Sequence, residues 1–203
     1  MKLFVASALA LCLPLFLVAA SSGSPEPATS TVPNAWSIDP GHSAVVFKTK
    51  HLGTSYFYGR FNDVSGTVQY DPKSPTKSSI EIVVKADSVD TNDDGRDGHL
   101  KNADFFSAKE FPEITFKSKS VKKGSGDTLV VTGDLAFHGY TKEVQLDVEI
   151  VGTTDHPRFG KRAGFHTELQ INPGEDFGVK YMASSEAVGP LVDLMISLEV
   201  VKS

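Results

Sequence analysis

From Trp36 onwards, apolar and polar residues alternate with a period of two along most of the chain, the pattern of strands with one buried and one wet face. In 80–86, Ile80, Ile82, Val84 and Ala86 share a face opposite Glu81 and Lys85. In 112–121, Ile114 and Phe116 oppose Thr115, Lys117 and Lys119. In 127–138, Leu129, Val131, Leu135 and Phe137 lie on one face with Gly133. In 141–152, Val144, Leu146, Val148 and Ile150 alternate with Glu143, Gln145, Asp147 and Glu149. In 160–171, Ala163, Phe165, Leu169 and Ile171 alternate with His166, Glu168 and Gln170. In 190–201, Val192, Leu194, Ile196, Leu198 and Val200 oppose Asp193, Ser197 and Glu199. Segments 43–50 and 58–71 are noisier, carrying Val45, Phe47, Val64, Val68 and Tyr70.

These runs predict eight strands. Asp71-Pro72, Gly124-Ser125-Gly126, His138-Gly139 and Asn172-Pro173-Gly174 are the turn signals between them. One-sided alternation with short connections implies an antiparallel meander, and eight such strands close most naturally into an up-and-down barrel without exposed edges. A sandwich is the competing architecture, but its strands are usually shorter and more evenly spaced. The fold class is therefore all-β, an extended eight-stranded antiparallel barrel. One segment departs from period two: in 97–106, Leu100, Ala103 and Phe106 fall at helical spacing behind Asp97, a capping residue type, which predicts one short helix at a barrel end.

A barrel of this strand number either holds one small ligand or is filled by its own side chains. Gly66, Ala86, Ser118, Gly133, Ala163 and Thr167 fall on inner faces, which favours a void. Phe47, Phe116, Phe137 and Phe165 come from four different strands; each alone reads as ordinary core, while as a set they suit an apolar tail. Ile82, Val84 and Leu135 on the same faces, with Phe106 from the short helix, complete the candidate lining.

Residues 1–20 follow a different logic. Lys2 precedes an apolar run from Leu3 to Val18, and Val18 and Ala20 fit the small-residue rule before a cleavage point, so this stretch reads as a secretory signal peptide. The run is too short for a membrane anchor, and Pro14 interrupts it. Residues 21–35, rich in Ser, Pro and Thr, read as a flexible tether, leaving 36–203 as the barrel. The signal implies secretion, with no integral membrane anchor. Cleavage removes the one cysteine, Cys12, and so any cysteine chemistry; it also removes Lys2, shifting the net charge from −5 to −6. With 20 basic and 25 acidic residues there is no electrostatic footprint for nucleic acid.

Site chemistry is sparse. Asp90-Thr-Asn-Asp-Asp-Gly95 matches the first half of a calcium loop, but Lys101 stands where the loop requires a bidentate Glu. No two of the six histidines share a metal-type local spacing, so no metal site is expected; His138 beside a turn and outward His166 read as solvated. Neither a serine-nucleophile elbow nor a phosphate-cradling glycine loop is present. No catalytic residue and no cofactor is assigned. His99 is the best candidate to contact a polar ligand head. The enzymatic alternative is a lipid-modifying site assembled around His99, Asp97 and Glu110, and a third option is a filled barrel acting as an interaction module.

Several motifs, in order, resemble the YceI family of secreted lipid-binding proteins: Trp36-Ser-Ile-Asp-Pro-Gly-His42-Ser; Phe47 through His51-Leu-Gly53 with Tyr58-Gly-Arg-Phe61; His99-Leu-Lys-Asn-Ala-Asp-Phe-Phe106; Phe111-Pro-Glu-Ile-Thr-Phe116-Lys-Ser; Gly133-Asp-Leu-Ala-Phe-His-Gly-Tyr-Thr-Lys142; and Asp176-Phe-Gly178. The resemblance spans Trp36 to about Val201. It implies a periplasmic or secreted protein, a lipocalin-like barrel whose lumen holds a long apolar chain, a polyisoprenoid or isoprenoid quinone. Some members are dimers, so it also implies a homodimer as an option. The chain departs from the family pattern at Asn172-Pro-Gly-Glu175, which lacks an arginine and carries one extra residue at the expected barrel mouth. Pro190 removes a backbone donor near the start of the last strand, which is therefore expected to be unpaired there or at an edge.

Overall fold

The alternating segments bury their apolar faces by curling into a ring. In the computed structural model, which describes residues 35–202, the first wall strand is β1 (Ala35–Ile38) and β2 (Ala44–His51), broken by a 3₁₀ turn at Pro40–His42. The second is β3 (Ser55–Phe61) and β4 (Val64–Gln69), and the third β5 (Ser79–Lys85) with the short β6 (Val89–Asp90). Helix α1 (Asp94–Leu100) follows, then β7 (Glu113–Lys123), β8 (Thr128–Phe137), β9 (Tyr140–His156) and β10 (Gly160–Ile171). Helices α2 (Pro173–Phe177) and α3 (Lys180–Ser184) lead into β11 (Val188–Lys202).

All pairings are antiparallel and run β1-β4-β5-β7-β8-β9-β10-β11, closed by Trp36 opposite Lys202 and Ser37 opposite Val201. The upper part of β11 turns to β2, with Leu194 opposite Phe47, and β2 in turn pairs with β3. Counting the broken pieces as single bent walls, the barrel has the eight strands expected. The expected signal peptide and the tether up to residue 34 lie outside the described residues; Ala35, assigned to the tether, begins β1.

The sequence expectation needs correction in the irregular segments. The run 58–71 is two strands, and β1 and β6 were not anticipated. The helix starts and ends earlier than 97–106. Asp93, in extended backbone, is the cap and accepts from the Arg96 amide at 2.8 Å. Asp97 lies inside the helix and accepts from the Thr91 amide and hydroxyl at 2.9 and 2.5 Å. A cap must stand outside the helical backbone, and of the clustered acids Asp93 does so. The half-motif of a calcium loop is thus spent on helix capping. Two further short helices, α2 and α3, occupy what reads in sequence as a loop. Asn172 caps α2, its Oδ1 accepting from Glu175 N, and Pro173 takes the first-turn place where a missing amide costs nothing.

Strand direction gives the barrel two different ends. Both helical insertions, 91–112 and 172–187, and the tight turns at 52–54 and 138–139 cluster at one end; the plain turns 70–78, 124–127 and 157–159 lie at the other. The end near the plain turns is closed by packed side chains. Val131 and Val200 are completely buried, and Ala163 and Trp36 nearly so. Trp36 Nε1 donates to the Tyr70 carbonyl at 2.8 Å, and the Tyr70 ring meets Phe165 edge-on at 5.1 Å. Outside this floor, Arg162 on β10 bonds Asp39 at 2.7 Å and also Glu199, tying together β10, the β1–β2 turn and β11. Arg162, with His42, holds the Asp39 carboxyl down at about 2.

The small inner residues do not make the void. Phe116 lies over Gly133, so close that a Cβ there would meet its Cζ at 2.6 Å, and Gly66 (φ +147°) lets β5 approach β4. The Ser118 hydroxyl accepts from the Ile80 amide at 2.9 Å. Of the six, only Thr167 borders the cavity described next. The others accommodate bulkier or closer neighbours.

Candidate functional site

Above the packed floor the barrel encloses a cavity of about 460 Å³, within the ~300–1,000 Å³ range of small-molecule sites. Its walls follow from the alternation: Phe47, Ile82, Val84, Phe116, Leu135, Phe137 and Phe165 all border it from β2, β5, β7, β8 and β10. Phe106, which lies in the turn after α1 and not in the helix, and His99 border it from the capped end. All nine sequence-derived candidates therefore meet around one space. An aromatic row crosses the top, with Phe61–Phe106, Phe106–Phe137 and Phe137–Phe177 centroids 5.7, 5.6 and 5.5 Å apart.

Buried hydroxyls in the wall are spent on backbone. Thr49 Oγ1 donates to the Leu191 carbonyl at 3.1 Å, and Thr167 Oγ1 to the Asp147 carbonyl at 2.9 Å. With these hydrogen bonds made, neither hydroxyl proton is free for a ligand. Thr49 also marks the bulge around Pro190. The β11–β2 register breaks between Val188 and Val192, as expected for a proline in a strand.

The cavity lining reaches solvent at the helical end. Among the described lining residues, the exposed ones are His51, Ser55, Arg96 and His99, contributed by the β2–β3 hairpin and α1. Arg96 is held by Thr91, donating from Nε to Oγ1 at 2.8 Å and from Nη2 to the carbonyl at 2.7 Å, with its guanidinium 5.3 Å from the Phe57 ring. His99 stands edge-on to Phe105 and Tyr181, at 5.0 and 5.5 Å, with Nε2 3.8 Å from Asp104. The portal thus combines polar and cationic groups at the rim with an apolar interior. That arrangement suits an amphiphile whose tail enters first.

The remaining part of the upper end is roofed. Phe177 is fully buried and Val179 nearly so, and Gly174 allows α2 to approach α3 so closely that a Cβ would lie 2.8 Å from Ala183 N. His138, expected to be solvated, instead donates from Nδ1 to the Phe177 carbonyl at 3.0 Å, because its left-handed backbone (φ +52°) turns the ring under the roof. Lys142 pairs with Asp176 and lowers that carboxyl below its usual range. The unusual Asn172-Pro-Gly-Glu175 stretch therefore builds roof. His166 is on the outer face as expected, within 2.8 Å of the Ser197 hydroxyl.

Sequence reasoning missed Arg96, Tyr181 and Met182 as lining residues, having placed α1 too late and α3 not at all. The Asn172-Pro173 pair was the available signal for a helix start in this stretch. The proposed trio of His99, Asp97 and Glu110 does not form one hydrogen-bonded set: Asp97 serves Thr91, and Glu110 meets the Ser107 hydroxyl at 3.4 Å. The Asp39, His42 and Glu199 ligand atoms lie close enough together to hold an ion, but the Arg162 guanidinium already stands against both carboxylates. No helix among the described residues is long and apolar enough to cross a membrane.

Known proteins are similar to this chain in sequence and in fold. The chain is 44% identical over 161 residues to Protein YceI of Escherichia coli O6:H1, covering 78% of this chain and 81% of that protein. The crystal structure of the Campylobacter jejuni YCEI protein superposes with a TM-score of 0.68 at 30% identity, covering 76% of this chain and 90% of that one. A polyisoprenoid binding domain from Saccharophagus degradans shares the fold (TM-score 0.63, 18% identity, 83% and 98% covered). The family model described as the YceI-like domain matches residues 36–200, which is the whole barrel from Trp36 on β1 to Val200 on β11, and the chain belongs to that family.

Proposed function

We propose that this protein is a non-enzymatic carrier or scavenger that holds a long apolar lipid, of the polyisoprenoid or isoprenoid-quinone class, in the barrel lumen. The carrying observation is the apolar cavity with its polar-rimmed portal. Tail burial drives the binding, at roughly 0.8 kcal/mol gross per buried carbon, offset in part by ordering the chain. Arg96, His99, His51 and Ser55 would meet the head group at the rim. The fold neighbour from Saccharophagus degradans, named for polyisoprenoid binding, supports the ligand class. The signal-type leader at 1–20 supports a periplasmic or secreted site of action.

The test is native mass spectrometry of protein purified gently from its producing cells, followed by lipid extraction. An adduct of isoprenoid mass is expected, and the emptied protein should take up added polyprenol or quinone. Recovery of apoprotein only, together with failure to bind either added lipid, would overturn the reading. Chemical alteration of the bound lipid on long incubation, lost in His99→Ala without loss of binding, would favour an enzyme instead.

A further inference from the structure

The rim at α1 carries a guanidinium that is fixed in place and only partly committed. Thr91 is buried, and its hydroxyl donates to Asp97 Oδ1 at 2.5 Å while accepting from Arg96 Nε at 2.8 Å. A second bond runs from Arg96 Nη2 to the Thr91 carbonyl at 2.7 Å. A hydroxyl that gives its proton to a carboxylate offers its other neighbour lone pairs, so Asp97 orients Thr91 and Thr91 orients the guanidinium. The Phe57 ring, 5.3 Å away, supports the guanidinium plane. Arg96 borders the cavity, and its Nη1 meets no acceptor among the described residues.

Two features define the head group that fits here. The first is charge. Over 93–104, Asp93, Asp94, Asp97 and Asp104 stand against Arg96 and Lys101, so the segment holding the guanidinium is net acidic. On the facing elements Lys48 is paired with Asp193, Lys180 of α3 is matched by Glu186 just beyond it, and Lys50 lies over Tyr56 on the outer wall. A phosphate head would bring about −1.5 to −2 charge into these carboxylates and is disfavoured. Guanidinium offers donors and no acceptor, so the matching group is an acceptor without charge, a carbonyl. The second feature is shape. At the capped end the lining is aromatic, with Phe105 and Tyr181 centroids 4.5 Å apart and Phe57 edge-on to Phe47 at 6.3 Å. Towards the opposite end it is mostly aliphatic, with Val68, Val148 and Leu198 beside Phe165. A flat conjugated head thus finds ring faces and edges at the rim, and a branched chain finds alkyl groups inside.

We infer that the head group carried at this rim is an uncharged ring carbonyl, a quinone and not a prenyl phosphate, with Arg96 as its hydrogen-bond donor and Thr91 as the positioning residue behind it. The inference rests on the lipid-carrier reading and narrows it to one head-group chemistry.

The experiment offers the whole protein, emptied of lipid, an equimolar mixture of three ligands that share a geranylgeranyl tail: a benzoquinone, the alcohol and the monophosphate. Native mass spectrometry reads the loading of each. The quinone should exceed the phosphate about tenfold, and raising the salt to ~1 M should recover phosphate loading without changing that of the quinone, because the repulsion is screened. Arg96→Met should lower quinone loading about tenfold relative to the alcohol, whose hydroxyl can turn to a carboxylate instead. Thr91→Val should move the same ratio in the same direction, and Thr91→Ser should restore it. A loss of fold stability lowers all three ligands together and leaves the ratio unmoved. The wild-type competition needs no substitution, so it decides the matter even if Arg96→Met fails to fold. Phosphate or alcohol loading equal to that of the quinone, or an unchanged ratio in folded Arg96→Met, overturns the inference while the carrier reading stands. If none of the three ligands loads, the carrier reading falls and the inference with it.

Discussion

Truncating one floor residue and one wall residue separates packed core from hollow lumen. Val131 has no exposed surface and lies between Val121 and Leu146 on the neighbouring strands. Val131→Ala removes two carbons, worth ~1.6 kcal/mol of transfer, and leaves a void that raises the cost to about 2–3 kcal/mol. For a domain of this size that lowers the melting temperature by roughly 4–12 °C. Leu194→Ala removes three carbons, which would cost ~2.4 kcal/mol in transfer alone if the side chain were enclosed. Its inner side borders the cavity, however, where no protein atoms supply dispersion contacts. The expected loss in lipid-free protein is therefore only about 1 kcal/mol, or 2–4 °C, the reverse of the order that counting carbons gives. Urea denaturation of delipidated protein, followed by the fluorescence of Trp36 in the floor, measures both values. In loaded protein the order should invert for ligand affinity, Leu194→Ala binding isoprenoid less tightly and Val131→Ala unchanged. A lipid-free Leu194→Ala that costs as much as Val131→Ala would refute the reasoning, because Leu194 would then be enclosed core.

Three further outcomes follow from single contacts. Asp39, depressed to about 2 by Arg162 and His42, adds stability that is complete above its ordinary value near 4 and is lost as pH falls through 2. Asp39→Asn should thus melt lower than wild type at neutral pH, by about 1 kcal/mol or less given solvent screening, with the two curves converging towards pH 2. Gly66→Ala combines φ +147° with a Cβ 2.1 Å from the Glu81 carbonyl, a backbone atom that cannot swing aside; a loss of about 3 kcal/mol in urea denaturation is expected, and a neutral result would show that β4 and β5 can separate. His138→Ala leaves the buried Phe177 carbonyl without its donor, at about 1–3 kcal/mol, and hydrogen exchange should accelerate across 172–185 while the floor amides stay protected.

The wall of this protein is legible because each strand has one buried face. Between Thr128 and Phe137 every second residue is buried without exception, and Gly160–Ile171 matches the expected strand end to end. Periodicity alone could not say which inward residues touch one another and which face empty space. Gly133 and Thr167 are both small and inward, yet one is covered by Phe116 and the other lines the cavity. The difference depends on neighbouring side chains from distant parts of the chain. Short helices were the weakest point: five residues of α3 carry too little pattern to stand out, and packing against α2 and β11 stabilises them more than their own propensity.

By itself, then, the sequence determined the strand count, the inner and outer faces, the antiparallel meander and the family, all of which follow from local alternation, turn chemistry and ordered motifs. Only the tertiary structure decided which inward residues fill the lumen and which border empty space, and that the exposed rim of that space lies between the β2–β3 hairpin and α1. Where space is left over is a property of ring closure and strand register. It is written at the places where residues far apart in the chain meet, as Leu194 meets Phe47 and Phe106 meets Phe137, and no local window contains both partners.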